Sequence, residues 1–93
     1  MPRLVARIRI MPADAESNLD SVIHSIKSSM PVGMEMKGYA LEPIAFGIKA
    51  IVGDFFLEDA EGQMDRLEES IKNIEGVGEI DVMNVSRQSV KMK

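Results

Sequence analysis

The sequence predicts an α+β fold of order βαββαβ, with a four-stranded antiparallel sheet that carries two helices on one face. Three observations predict it. Short alternating apolar runs flank each of two helically spaced apolar stripes. Each stripe is followed by a similar stop, Pro31-Val32-Gly33 and Gly76-Val77-Gly78. Every segment also has one apolar side only, so all must share a single core.

Residues 4–11 alternate, with Leu4, Ala6, Ile8 and Ile10 on one side and Arg7 and Arg9 on the other, which marks a half-buried strand ended by Met11-Pro12. Over 17–30 the apolar residues Leu19, Val22, Ile23, Ile26 and Met30 fall on one helical stripe, with Asp14 or Ser17 available as N-cap. A second strand is expected over 35–42. A third is expected over 48–57, where Ile51, Gly53, Phe55 and Leu57 share a side and Asp54 points the other way. Residues 58–62 lead into a second helix with the stripe Met64, Leu67, Ile71 and Ile74, ended by Gly76-Val77-Gly78. In the last strand Ile80, Val82 and Asn84 alternate with Asp81, Met83 and Val85. Two such strand-helix-strand units side by side make the ferredoxin-like split β-α-β arrangement. In it the first and last strands pair, which brings Arg3, Arg7 and Arg9 beside Arg87, Lys91 and Lys93. One edge of a chain with net charge −4 is therefore expected to be basic, unless Arg7 and Arg9 pair with Asp81 or Glu79 across the terminal strands.

A chain of 93 residues, 45% hydrophobic, makes one domain (1–93) with little room for an enclosed substrate cavity, so function is expected on its outside. The absence of cysteine removes disulfides, thiolate metal sites and thiol chemistry. The single histidine, His24, lies beside the stripe of the first helix and reads as a surface residue. No apolar run reaches the roughly 18 residues of a membrane span, and the start Met1-Pro2-Arg3-Leu4-Val5 has no long apolar stretch, so a soluble cytoplasmic protein is expected. The acidic balance, with only Tyr39, Phe46, Phe55 and Phe56 as aromatics, disfavours direct nucleic-acid binding. The acids Asp54, Glu58, Asp59, Glu61 and Asp65 lack a calcium-loop spacing and read as charges before a helix N-terminus; no metal and no cofactor is expected.

Fold alone does not decide function. An RNA-recognition domain needs aromatics on the open side of its central strands, and Phe55 belongs to the core side. A soft-metal carrier needs cysteines. An acyl phosphatase needs an arginine in a phosphate-cradling loop, where this chain has Met11-Pro12-Ala13-Asp14. A small-molecule-binding regulatory domain stays open, with Pro31-Val32-Gly33 and Gly76-Val77-Gly78 as its candidate ligand loops.

The octet Pro43-Ile44-Ala45-Phe46-Gly47-Ile48-Lys49-Ala50 sets Phe46 between a strand ended by Pro43 and a strand opened by Gly47, hence on a turn at the rim of the sheet. A bulky aromatic there either folds back over the core or is covered by a partner, and contact residues concentrate on loops held by rigid scaffolds. This octet, the following Glu58-Asp59 and helix, and a last strand with Asp81-Val82 and Val85-Ser86-Arg87 together resemble the translation elongation factor 1-beta family, most closely its short archaeal form. The resemblance runs from Ile10-Met11-Pro12 through Arg87. It implies a guanine-nucleotide exchange factor for the GTPase elongation factor 1-alpha, acting by protein binding without covalent or acid-base chemistry. It further implies that Phe46 inserts into the GTPase, with Pro43, Ile44 and Lys49 beside it, and that a C-terminal cation reaches the nucleotide and magnesium site. Arg87 keeps the family's distance from the last strand. Lys91 and Lys93 are the alternative cations, in a segment (88–93) expected to be a flexible tail.

Overall fold

Alternation in four segments and helical spacing in two give the expected six elements. The computed structural model describes residues 3–14, 18–45 and 47–88. In chain order they form β1 (Arg3–Pro12), α1 (Leu19–Ser28), β2 (Glu35–Ala45), β3 (Ile48–Glu58), α2 (Gln63–Lys72) and β4 (Val77–Gln88). The strands make one sheet of order β2-β3-β1-β4, with every neighbouring pair antiparallel. The first and last strands are thus neighbours, as expected.

Both helices lie on the same side of the sheet, because their stripes share one core with the strands. Ala6, Ile8 and Ile10 of β1 and Ile51, Phe55 and Leu57 of β3 are buried with Val22, Ile23 and Ile26 of α1 and Leu67 and Ile71 of α2. Burying each large apolar side chain contributes about 1.5–3 kcal/mol, so this cluster carries the fold. No buried polar or charged residue interrupts it among the described residues.

The element ends depart from expectation for local reasons. Asn18 caps α1, its side-chain oxygen accepting from the Ser21 N–H at 3.1 Å. It starts the helix later than Asp14 or Ser17 would; Ser17 lies outside the described residues. Strand β2 continues past Glu42 through Pro43 and Ile44 to Ala45. Proline is tolerated there because β2 is an edge strand. Helix α2 stops at Lys72, so Val77 and Gly78, expected to end the helix, open β4 instead. Gln88, expected in the tail, is the last residue of β4, and 89–93 lie outside the described residues.

The most consequential departure is in the register of β4. Ile8 pairs with Val82, but Arg7 pairs with Asn84, so Met83 is an extra residue that makes a bulge. A one-residue shift exchanges the sides of all that follows. Asn84, expected beside Ile80 and Val82, faces the open side opposite Arg7. Val85, opposite Ala6, and Arg87, opposite Leu4, move to the helix side.

A second shift passes over Gly78, where the Met11–Glu79 pair is followed by Pro12–Val77. A Cβ at Gly78 would stand 2.8 Å from the Pro12 carbonyl oxygen and 3.0 Å from the Ala13 Cα. Both are backbone atoms that cannot swing aside. Gly78→Ala is therefore expected to lower stability by about 1–3 kcal/mol, read as a fall in the urea midpoint. Asn18→Ala, which removes the α1 cap, should cost about 1 kcal/mol by the same measurement.

Candidate functional site

The described residues among those singled out in the sequence do not form one cluster: Pro43, Ile44 and Lys49 lie at one end of the sheet and Arg87 at the other. Strands β2 and β3 are antiparallel neighbours, in which Pro43 pairs with Lys49 and Ala45 with Ile48. Gly47 takes a left-handed φ of 78°, a conformation that favours glycine at a tight turn. Pro43, Ile44 and Lys49 are all exposed. Phe46 itself lies outside the described residues, as do Lys91 and Lys93. The hairpin thus presents an apolar and a basic residue on either side of position 46.

Arg87 stands at the other end, opposite Leu4 near the start of β1. From Ile48 to Glu58 the sheet runs ten residue steps, roughly 33 Å at strand rise. The two candidate contact points are therefore separated by about the length of the sheet. At its end Arg87 makes an ion pair through Nε with Asp59, the residue just after β3.

Two arginines of the expected basic edge, Arg7 and Arg9, are paired with carboxylates on the open side. Arg7 Nε donates to Asp54 Oδ1 at 2.9 Å across the β1–β3 pair, and Asp54 raises the Arg7 pKa, first through that hydrogen bond and then through its charge. Arg9 donates to Asp81 on β4 at 3.2 Å, as the terminal-strand pairing predicts. It also lies 3.6 Å from Glu42 on β2. Arg9 therefore links β2, β1 and β4 across the open side, and Ala50 of the intervening β3, paired with Glu42, is fully buried. Arg7 finds its partner on β3 rather than on the last strand. Arg87 is paired as well, on the helix side of the sheet, so Arg7, Arg9 and Arg87 each stand against a carboxylate.

The helix-end loops proposed as ligand loops do not meet. Helix α1 descends from the end of β1 to the start of β2, and α2 rises from the end of β3 to the start of β4. Val32, 99% exposed, is consequently at the Arg87 end, whereas Gly76 is at the hairpin end. No group of three acidic, histidine or cysteine side chains able to hold a metal occurs among the described residues. No helix among them is long and apolar enough to cross a membrane.

Two features of the site were missed in the sequence. The Asp59 partnership with Arg87 was overlooked because Asp59 looked like a charge placed before a helix. The Met83 bulge does leave a local trace: Val82 and Met83 are adjacent apolar residues, and the apolar phase passes from Ile80 and Val82 to Val85, with polar Asn84 where unbroken alternation would place an apolar residue.

Comparison with known proteins matches residues 5–87 to the EF-1 guanine nucleotide exchange domain. The chain is 40% identical over 88 residues to elongation factor 1-beta of Aeropyrum pernix, covering 94% of this chain and 98% of that one. It is 40% identical over 82 residues to the Archaeoglobus fulgidus protein of the same name, covering 88% and 93%. It is 36% identical over 88 residues to that of Staphylothermus marinus, covering 94% and 98%.

The open side also carries a simpler pair, Lys37 Nζ to Glu35 Oε2 at 2.9 Å. The Lys37 hydrogen bond, with its charge, holds the Glu35 pKa below its ordinary value. A lowered carboxyl pKa stabilises the fold above the unfolded value, and that contribution disappears as pH falls through the folded value. Lys37→Met should return the Glu35 titration to the ordinary carboxylate range, followed by NMR of its side-chain carboxyl carbon.

Proposed function

The chain belongs to the EF-1 guanine nucleotide exchange domain family, and from that membership we propose that it promotes GDP release from the translation GTPase elongation factor 1-alpha. The observation that carries the proposal is the family match over 5–87, nearly the whole chain, with the Pro43-Ile44-Ala45-Phe46-Gly47-Ile48-Lys49 run inside it. The names of the relatives, elongation factor 1-beta, supply the partner.

In the proposed mechanism Phe46 inserts into the GTPase, flanked by Pro43, Ile44 and Lys49, while Arg87 reaches toward the nucleotide site. GDP in a GTPase is anchored by backbone amides and by Mg²⁺, whose charge offsets the phosphates. A guanidinium entering that neighbourhood competes with the metal for the same anionic oxygens, and loss of the metal weakens the hold on the diphosphate. Because Arg87 and the hairpin are roughly 33 Å apart, one partner must span the sheet end to end. A multidomain GTPase has that size. Every step is an exchange of non-covalent contacts, so a chain with one histidine and no cysteine has the groups it needs. The coupling is reciprocal: a tenfold loss of GDP affinity on binding the factor means a tenfold loss of factor affinity on binding GDP, about 1.4 kcal/mol.

Release of fluorescent GDP from the cognate elongation factor 1-alpha, chased with unlabelled nucleotide, tests the proposal. The wild-type chain should accelerate release. Phe46→Ala and Arg87→Ala, each folded by circular dichroism, should each lose about tenfold or more of that acceleration. A folded wild-type chain that leaves the release rate unchanged would refute the assignment.

A further inference from the structure

Arg87 reaches its place only because of the Met83 bulge. Had β4 continued from Val82 without the extra residue, each later residue would pair one position earlier along β1, and Arg87 would stand directly opposite Arg3. Like charges directly opposed on neighbouring strands destabilise a sheet. The bulge instead sets Arg87 opposite Leu4, on the helix side, where it meets Asp59. Bulges beside functional sites commonly re-aim a side chain in this way.

The geometry of the pair is asymmetric. The Asp59 side chain is 22% exposed and that of Arg87 67%, so the carboxylate is sheltered and the cation projects. The contact runs through Nε, the guanidinium nitrogen nearest the chain, which puts the two terminal amino groups at the outer end of the fork. A pair so open to water contributes little to stability. Its larger consequence is orientation, because an arginine held by one nitrogen has less rotamer freedom to lose when its other nitrogens engage a second acceptor.

We infer that Asp59 is a positioning residue for Arg87: it holds the guanidinium by Nε and directs the terminal amino groups outward, toward the anionic oxygens of a nucleotide and metal site on the partner. The inference rests on the reading of Arg87 as the inserted cation. It also distinguishes arginine from lysine here. A lysine ammonium is a single point charge, and Asp59 would hold the whole of it rather than one arm of a fork.

The test measures stimulated GDP release against factor concentration for wild type, Arg87→Ala, Asp59→Asn, Arg87→Lys and the Asp59→Asn/Arg87→Lys double variant, with thermal melts of each. Asp59→Asn should lower the maximal stimulated rate about threefold to tenfold, with little change in the half-saturating concentration or the melting temperature. Arg87→Lys, which leaves the Asp59 loop untouched, should lose a similar factor. The double variant should be no worse than Arg87→Lys alone, and Asp59→Glu should recover part of the loss. If wild type stimulates and Arg87→Ala fails, but Asp59→Asn matches or exceeds wild type, the positioning role is wrong and the exchange function stands. Independent, multiplying losses in the double variant would also overturn it, as would an Arg87→Ala variant as active as wild type. A wild-type chain without stimulation removes the exchange reading and this inference with it.

Discussion

The apolar side of β1 is the constraint on which the rest of the molecule depends. Ala6, Ile8 and Ile10 are fully buried between β3 and β4 and beneath both helices, so β1 has a single tolerable register against each neighbour. Once that side is turned inward, Arg7 and Arg9 must face out. They then lie among the carboxylates of β2, β3 and β4, and the ion pairs to Asp54, Asp81 and Glu42 follow from the register.

A single-sided core in a chain of this size leaves the candidate contact groups at the surface, and the strands decide how far apart they stand. The hairpin and Arg87 occupy opposite ends because β3 and β4, both antiparallel to β1, run in the same direction, the hairpin opening the one and Arg87 lying near the end of the other. The two helix-end loops are separated by the same logic. The described structure therefore separates these groups along the length of the sheet.

Most of the fold was legible because burial imposes a period that composition displays directly. The stripe Val22, Ile23 and Ile26 and the run Ile51, Gly53, Phe55 and Leu57 could be assigned from spacing alone. The cap of α1 was not, since Asp14, Ser17 and Asn18 all have side-chain oxygens that suit the role, and tertiary context selected Asn18. The partners of Arg7 and Arg9 were only partly legible for a related reason: Asp81 was among those expected, Asp54 and Glu42 were not. Arginine positions along the chain are visible in sequence, but the carboxylates that neutralise them arrive from strands tens of residues away.

By itself the sequence determined the element order, the sides that β1 and β3 bury and, through the Pro43 to Lys49 run, the family resemblance, because each of these is written in residues close together in the chain. Tertiary structure decided that the break in β4 is taken up as a bulge at Met83, and with it the side on which Arg87 lies and its pairing with Asp59. A bulge is a compromise between two strands, relieving an Arg3–Arg87 opposition while keeping Val82 in the core. The adjacent apolar pair Val82-Met83 marks where alternation breaks, but which residue is extra and what Arg87 then meets depend on both strands being in register.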